Sequence, residues 1–342
     1  MLQQIKYGIK INQKTKKSIN SITFAVSKHQ VLSQVMINRV IIRIKVLQII
    51  YAYYQKDSRD VALAENELFH GLQKSYDLYH YLLLLIPTLT YVEQKRLDKK
   101  KYKYLATEEE KNPDTRFINN RFAEQLGKNK QLLAFSNEKG SIWMGEDVFL
   151  KKILDQIISS DVYDEYLKSP DTYESDKEFW KKIFKQYILT CEELNELLED
   201  KSIYWNDDLD IIGTFALKTI KRFEKSTETY QALLPMFKNE EDRRFAVNLL
   251  RKSIFEGQSY NARIDKHIKN WELDRIACIE LYIMQIAIAE LLHFPSIPIN
   301  VTLNEYIDIA KYYSTSKSGT FINGTLDAIV NELKSEKILF KN

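Results

Sequence analysis

Arg39 and Arg43 lie four positions apart in the run INRVIIRIKVLQIIYAYYQ, a spacing that puts both on one face of a helix. The planar fork of arginine suits bidentate contact with phosphate or a base edge. Lys45 and Gln48 add a cation and an amide nearby, off that stripe. The same pair would equally serve as the solvated face of an amphipathic helix. Near the other end of the chain, Ile322, Leu326, Ile329 and Leu333 recur at steps of four, three and four, the spacing of a helical core stripe. Phe321 falls about 100° away from that stripe, at the expected helix start. A ring there could stack a base while the helix N-terminus meets phosphate, or it could form the rim of the core. Gly324 inside the same helix costs about 1 kcal/mol relative to alanine, which suggests close packing against another backbone. Lys95, Lys99, Lys100, Lys101 and Lys103 crowd a third place and read either as a solvated helix end or as electrostatic help to an anionic partner.

Catalytic chemistry has little to stand on. There is no Gly-rich phosphate loop, no Gly-x-Ser-x-Gly elbow and no His-Glu-x-x-His. The expectation is a protein that is not an enzyme and needs no cofactor. Cys191 and Cys278 are 87 positions apart, and His29, His70, His80, His267 and His293 are scattered without ligand spacing, so no metal site is expected. Two lone cysteines suit a reducing cytosol, and a cytoplasmic protein is expected.

Helices must carry these residues. The 342 residues include only 9 Gly and 6 Pro, far fewer turn formers than sandwiches, propellers or doubly wound sheets require. An all-α fold follows. Residues 37–55 read as one helix, and a second runs from about Asp60, with a possible bend at Pro87. Residues 115–237 form a series of helices with polar breaks near 137–141, 169–175 and 200–208. A further helix covers 239–257, with Gly257 as its C-cap signal. After a short amphipathic segment at 259–270, a central helix runs from Glu272 to about His293, where Pro295 and Pro298 prevent its continuation. Thr302 and Glu305 have the spacing of a capping box opening a helix to about Tyr313. The linker STSKSG then leads into a last helix from about Ser318 to Lys334. The apolar run Ile276–Phe294 carries Glu280, Gln285 and Glu290, which fits a central packed helix better than a membrane span.

The net charge of +3 is unevenly placed. Residues 1–35 hold six lysines and no acid, which leaves 44 basic against 47 acidic residues in 36–342, a balance of −3. Residues 1–35 form a poor secretory signal and read as a spurious or disordered extension, with the biological start at Met36. Any nucleic-acid contact by the body must therefore rest on local patches.

The stretch INVTLNEYIDIAKYYSTSKSGTFINGTLDAIV resembles the most diagnostic region of the NusB family of transcription antitermination factors. Val301, Asn304, Glu305, Ala310, Lys311, Ser318, Phe321, Asn323, Gly324, Leu326 and Asp327 match the family pattern. Trp271, Leu273, Arg275, Glu280 and Glu290 fit its preceding helix, and Arg39, Arg43, Val46, Leu47, Gln48 and Tyr51 resemble its Arg-rich first helix. The resemblance covers residues 36–70 and 240–335. It implies a NusB-like helical fold of two packed helical subdomains, with extra inserted helices. The expected organisation is an extension at 1–35, an N-terminal helical subdomain at 36–239 including a large insertion at about 71–239, a C-terminal subdomain at 240–335 and a tail at 336–342.

The resemblance also implies a non-catalytic protein that binds boxA RNA of ribosomal RNA leader transcripts together with the ribosomal protein NusE, within an RNA polymerase antitermination complex. By position, Arg39, Arg43, Gln48, Lys311, Tyr313, Phe321 and Asn323 are the RNA-side candidates. Glu280 is the candidate at the NusE interface, with an ion pair to a residue such as Arg275 as its other reading. The departures are Ile41 and Ile42 in the first helix, Gln285 where the family commonly has Arg, and Thr320 where a basic residue often precedes the Phe. These missing cations keep open the alternative of a helical protein-interaction adaptor that has lost RNA binding, and the resemblance of this domain to the one that begins some ribosomal RNA cytosine methyltransferases leaves an RNA-modification accessory domain as another.

Overall fold

A computed structural model describes residues 36–56, 59–206, 208–268, 276–314 and 316–341. The expectations placed on residues 1–35, Trp271, Leu273 and Arg275 lie outside the described residues. Among the described residues all regular structure is helical. In chain order the helices are α1 (Arg39–Tyr54), α2 (Val61–Lys101), α3 (Glu108–Lys111), α4 (Arg121–Gly127), α5 (Lys130–Lys139), α6 (Asp147–Ile158), α7 (Asp161–Lys168) and α8 (Tyr173–Ile183). They continue with α9 (Glu192–Lys201), α10 (Leu209–Arg222), α11 (Glu240–Phe255), α12 (Gly257–His267), α13 (Cys278–His293), α14 (Ile299–Tyr313) and α15 (Ser316–Ser335). The chain divides into two compact units, one formed by residues 1–73 and 235–342 and the other by 74–234.

The first unit is organised around α13. Every residue from Tyr282 to Leu291 is buried, because α1, α11, α12, α14 and α15 all pack against this one helix. An apolar helix covered on several sides has no reason to keep a polar face. The α15 stripe of Ile322, Leu326, Ile329 and Leu333 is fully buried, as its periodicity predicts. The described part of this unit opens on Met36, itself buried, whose backbone N–H donates to the Pro235 carbonyl at 2.9 Å. Ile37 N–H does the same to Met236 at 2.8 Å. Asn38 then caps α1 by accepting from the Ile41 N–H.

Two expectations about helix ends change. α14 begins at Ile299 with Pro298 as its N-cap, so Thr302 and Glu305 sit inside the helix and form no capping box. Gly257 is the first residue of α12 and lacks the positive φ of a C-cap glycine. Its small size answers a different need. A Cβ there would fall 2.5 Å from Gln285 Nε2 and 2.7 Å from the Tyr54 hydroxyl, so only glycine leaves that hydrogen-bonded pair in place.

The second unit is built on rings. Phe122 packs edge-on against Tyr173 and Phe223, and Phe117, Phe179 and Trp180 form a second cluster. The Trp143 indole N–H donates to the Tyr81 carbonyl at 3.0 Å, so the ring is buried without an orphan donor. α2 runs through Pro87, while Thr88 Oγ1 donates to the Leu84 carbonyl in the turn that the proline interrupts. The Asp176 carboxylate is buried and accepts from the Tyr166 hydroxyl at 2.8 Å and the Arg121 N–H at 3.0 Å.

Candidate nucleic-acid interface

Helical spacing puts Arg39 and Arg43 on one face of α1, and that face turns onto α11. The two guanidinium groups lie 5.1 and 5.7 Å from the centroid of the Phe245 ring. Arg39 stays partly exposed and pairs with Glu241 at 2.8 Å and Asp242 at 3.5 Å. Pairs of this kind are worth about 0–1 kcal/mol, so a stronger anion could draw Arg39 away at little cost.

Arg43 is in a different situation, and the expectation of an RNA contact there is corrected. Only 2% of it is exposed. Its Nε and Nη2 donate to the two oxygens of Glu290 at 2.8 and 2.7 Å, and Nη1 donates to Glu305 at 3.3 Å. Glu290 also accepts from the Thr302 and Tyr306 hydroxyls, each at 3.0 Å. Burial alone would lower the Arg43 pKa and raise that of Glu290. Their mutual attraction and hydrogen bonds outweigh it, so Arg43 is held above its ordinary value and Glu290 below. Removing one member of such a pair costs about 3–5 kcal/mol, which keeps Arg43 from leaving for phosphate. It ties α1 to α13 and α14. Thr302 and Glu305, read from the sequence as a cap, belong to this network. Lys45 is buried as well.

The remaining candidates gather at the turn between α14 and α15. Gln48 Nε2 donates to the hydroxyl of Tyr313, the last residue of α14, at 3.2 Å. Ser314, just beyond, donates to Glu280 at 2.8 Å and shares a hydrogen bond with Ser318 at 2.8 Å. Glu280 is thus tied to the turn itself. Lys311 is exposed and pairs with Asp308 at 2.9 Å, while its stem covers Gly319, where a Cβ would fall 3.2 Å from Lys311 Cγ. Phe321 is half-buried, and Asn323 donates to Asp327 at 3.2 Å.

Two expectations about α15 are revised by this geometry. The helix starts at Ser316, which places Phe321 in the second turn, past the free N–H groups of the first. Gly324 is exposed, and nothing lies within 4 Å of where its Cβ would be, so no neighbouring backbone packs there. Gly324 thus lies on the open side of α15, with Phe321 and Asn323 flanking it about 200° apart around the helix, and Lys311 is exposed on α14. Arg39 does not join them, since it stands nine positions before Gln48 on α1, about 13 Å along the helix axis. Gln285 is fully buried and donates to the Ser253 carbonyl at 2.5 Å and the Tyr54 hydroxyl at 3.0 Å, so its side chain serves packing.

The residues that sequence reasoning missed are Glu290 and Tyr306. The available signal was a charge of each sign set in an apolar run, Arg43 between Ile42 and Ile44 and Glu290 between Ala289 and Leu291. Among the described residues no group of three or more His, Cys, Asp or Glu could hold a metal ion. No described helix is long and apolar enough to cross a membrane.

The chain matches the model of the NusB family over residues 214–331. That match begins within α10, earlier than the expected 240, and does not include α1. Three relatives carry the name transcription antitermination protein NusB. The protein of Salinibacter ruber is 36% identical over 141 residues, 41% of this chain and 81% of the relative. That of Geotalea daltonii is 33% identical over 137 residues, 40% of this chain and 92% of the relative. That of Chloroherpeton thalassium is 46% identical over 98 residues, 29% of this chain, and the match spans only 46% of the relative's length. No solved structure matches the chain. An all-helical unit centred on α13, a matching family model and relatives covered over most of their length together place this chain in the NusB family.

Proposed function

We propose that this protein is a non-catalytic, cytoplasmic RNA-binding transcription antitermination factor. It binds boxA RNA of ribosomal RNA leader transcripts together with the ribosomal protein NusE, within an RNA polymerase antitermination complex. The observation that carries this reading is the open surface of α14 and α15. Phe321 offers a ring edge for stacking, Lys311 a phosphate partner, Asn323 an amide for a base edge, and Gly324 leaves room for a nucleotide to approach the helix. Gln48 and Tyr313 extend the polar surface toward α1. Glu280 holds the turn beneath it and is the candidate contact to NusE.

Binding to boxA RNA, measured with and without NusE at two salt concentrations, tests the proposal. Phosphate contacts predict weaker binding as salt rises. Phe321→Ala is expected to lower affinity by about 1–3 kcal/mol if the ring stacks a base. Unchanged affinity would remove Phe321 from the interface, and no RNA binding in any mixture would overturn the proposal. The second reading, an adaptor that binds protein alone, is favoured by the buried pairing of Arg43 with Glu290, which withdraws one cation of the first helix. It predicts NusE binding that RNA does not alter.

A further inference from the structure

We propose that the unit formed by residues 74–234 carries a separate contact for single-stranded RNA, a stripe of tyrosines and lysines on the exposed face of α2. The proposal goes beyond the α14–α15 reading and does not depend on it. Tyr91, Lys95, Lys99 and Tyr102 follow one another at steps of four, four and three, so they share one helical face. The helix ends at Lys101, but the Tyr102 N–H still donates to the Asp98 carbonyl at 3.2 Å, which carries the same face one residue further. The stripe is about 16 Å long at the helical rise.

Its exposure is the unusual feature. Tyr91 is 57% exposed, Tyr102 81%, and Tyr104, just past the helix end, 100%. Tyrosine in a unit otherwise packed on rings is expected to bury much of its area, and these three leave theirs in water. Lys95, Lys99 and Lys101 are exposed among them, and the Lys95 ammonium lies 5.3 Å from the centroid of the Tyr91 ring. Nearby charges of the other sign are largely engaged. Glu93 is buried and paired with Arg96 at 2.7 Å, and Glu110 pairs with Lys103 at 2.7 Å. Asp98 is the acid that stays exposed on the stripe.

Rings at the two ends of a lysine run suit a strand whose phosphates meet the cations while exposed bases stack at either end, and bases are free to stack on a protein ring only in a single strand. An acidic protein would complement the lysines as well and could cover the tyrosines, but it offers no series of planar bases to stack on the exposed ring faces. The geometry therefore favours RNA over a protein partner.

The test uses the full chain and three labelled probes, a 12-nucleotide oligouridine, a 12-base-pair RNA duplex and polyglutamate. Wild type is expected to bind oligouridine most tightly. The triple variant Tyr91→Ala, Tyr102→Ala, Tyr104→Ala should weaken that binding at least about tenfold, whereas the corresponding triple change to Phe, which keeps the rings, should stay within about twofold. All three side chains are exposed, and circular dichroism checks that the helices persist. The alanine changes are also made in a Phe321→Ala background, where the same further loss is expected. Alanine variants that bind oligouridine like their parents overturn the stripe, whatever Phe321→Ala does. Equal losses in the alanine and phenylalanine variants, or tightest binding to polyglutamate, overturn stacking. Failure of boxA binding alongside a persisting tyrosine-dependent loss overturns the α14–α15 reading and leaves this one standing.

Discussion

The most deeply buried carboxylates of the two units, Glu290 and Asp176, are satisfied in different ways. In the unit of residues 36–73 and 235–341, Glu290 is answered by a full opposite charge on Arg43, 247 positions away in the chain. In the unit of residues 74–234, Asp176 is held by the neutral Tyr166 hydroxyl and the Arg121 N–H, 10 and 55 positions away. Arg121 Nε stands 3.9 Å from the same carboxylate and is itself partly exposed. One arrangement fastens distant segments with an ion pair. The other finishes a local corner with hydrogen bonds. The contrast is one of charge and reach: Glu290 joins α13 to a remote α1 through an ion pair, while Asp176 joins the nearby α4, α7 and α8 through hydrogen bonds.

The comparison can be broken by substitution. Glu290→Ala leaves Arg43 charged and buried and is expected to destabilise the protein by about 3–5 kcal/mol, read from denaturant unfolding. The double change Arg43→Met with Glu290→Leu should recover most of that loss, because an apolar pair has no charge to desolvate. A double variant as unstable as the single one would mean that Glu290 acts through Thr302 and Tyr306 and not through Arg43. In the ring-built unit, Phe122→Ala should cost a comparable 3–5 kcal/mol, roughly, by opening a cavity.

Acid separates these two losses. Glu290 has a pKa below its usual 4.5 in the folded protein, so the unfolded chain takes up the proton first as pH falls. The stabilisation is complete above that usual value and is lost as pH drops through the folded pKa. The stability gap between wild type and Glu290→Gln should therefore narrow below about pH 4.5, while the gap to Phe122→Ala stays flat. A smaller effect is expected from Asp176→Asn, about 1–3 kcal/mol, since the amide turns one acceptor into a donor facing a donor. The smallest concerns α15. Gly324→Ala, with open space around it, should stabilise by about 0.4–1 kcal/mol while weakening any ligand that needs the bare backbone. Equal stability together with unchanged RNA affinity would mean that the open surface has no ligand at that point.

What could be read from the sequence follows the distance over which its signals act. The α15 stripe and the stop at Pro295 were legible because periodicity and proline are local effects. The inward turn of Arg43 was not, since spacing of four tells which residues share a face and not which way that face points. Thr302 and Glu305 show the same limit. Their separation of three fits a capping box and fits equally two side chains reaching one buried arginine and its partner. Gly257 was read as a terminator when the reason for it is Gln285 and Tyr54, each remote in sequence. At the α14–α15 surface the residue types were legible, and the openness around Gly324 was not.

The clasp of Met36 and Ile37 onto Pro235 and Met236 has a consequence for the order of events on the ribosome. Residues 74–234 are contiguous and can fold as soon as they emerge, whereas α1 has to wait for partners not yet made. At synthesis rates of about 5–20 residues per second, Arg43 waits roughly 12–50 s before Glu290 is translated. Until then Arg43 has no buried carboxylate to meet, and α1 becomes an interior strut only when the chain is nearly complete.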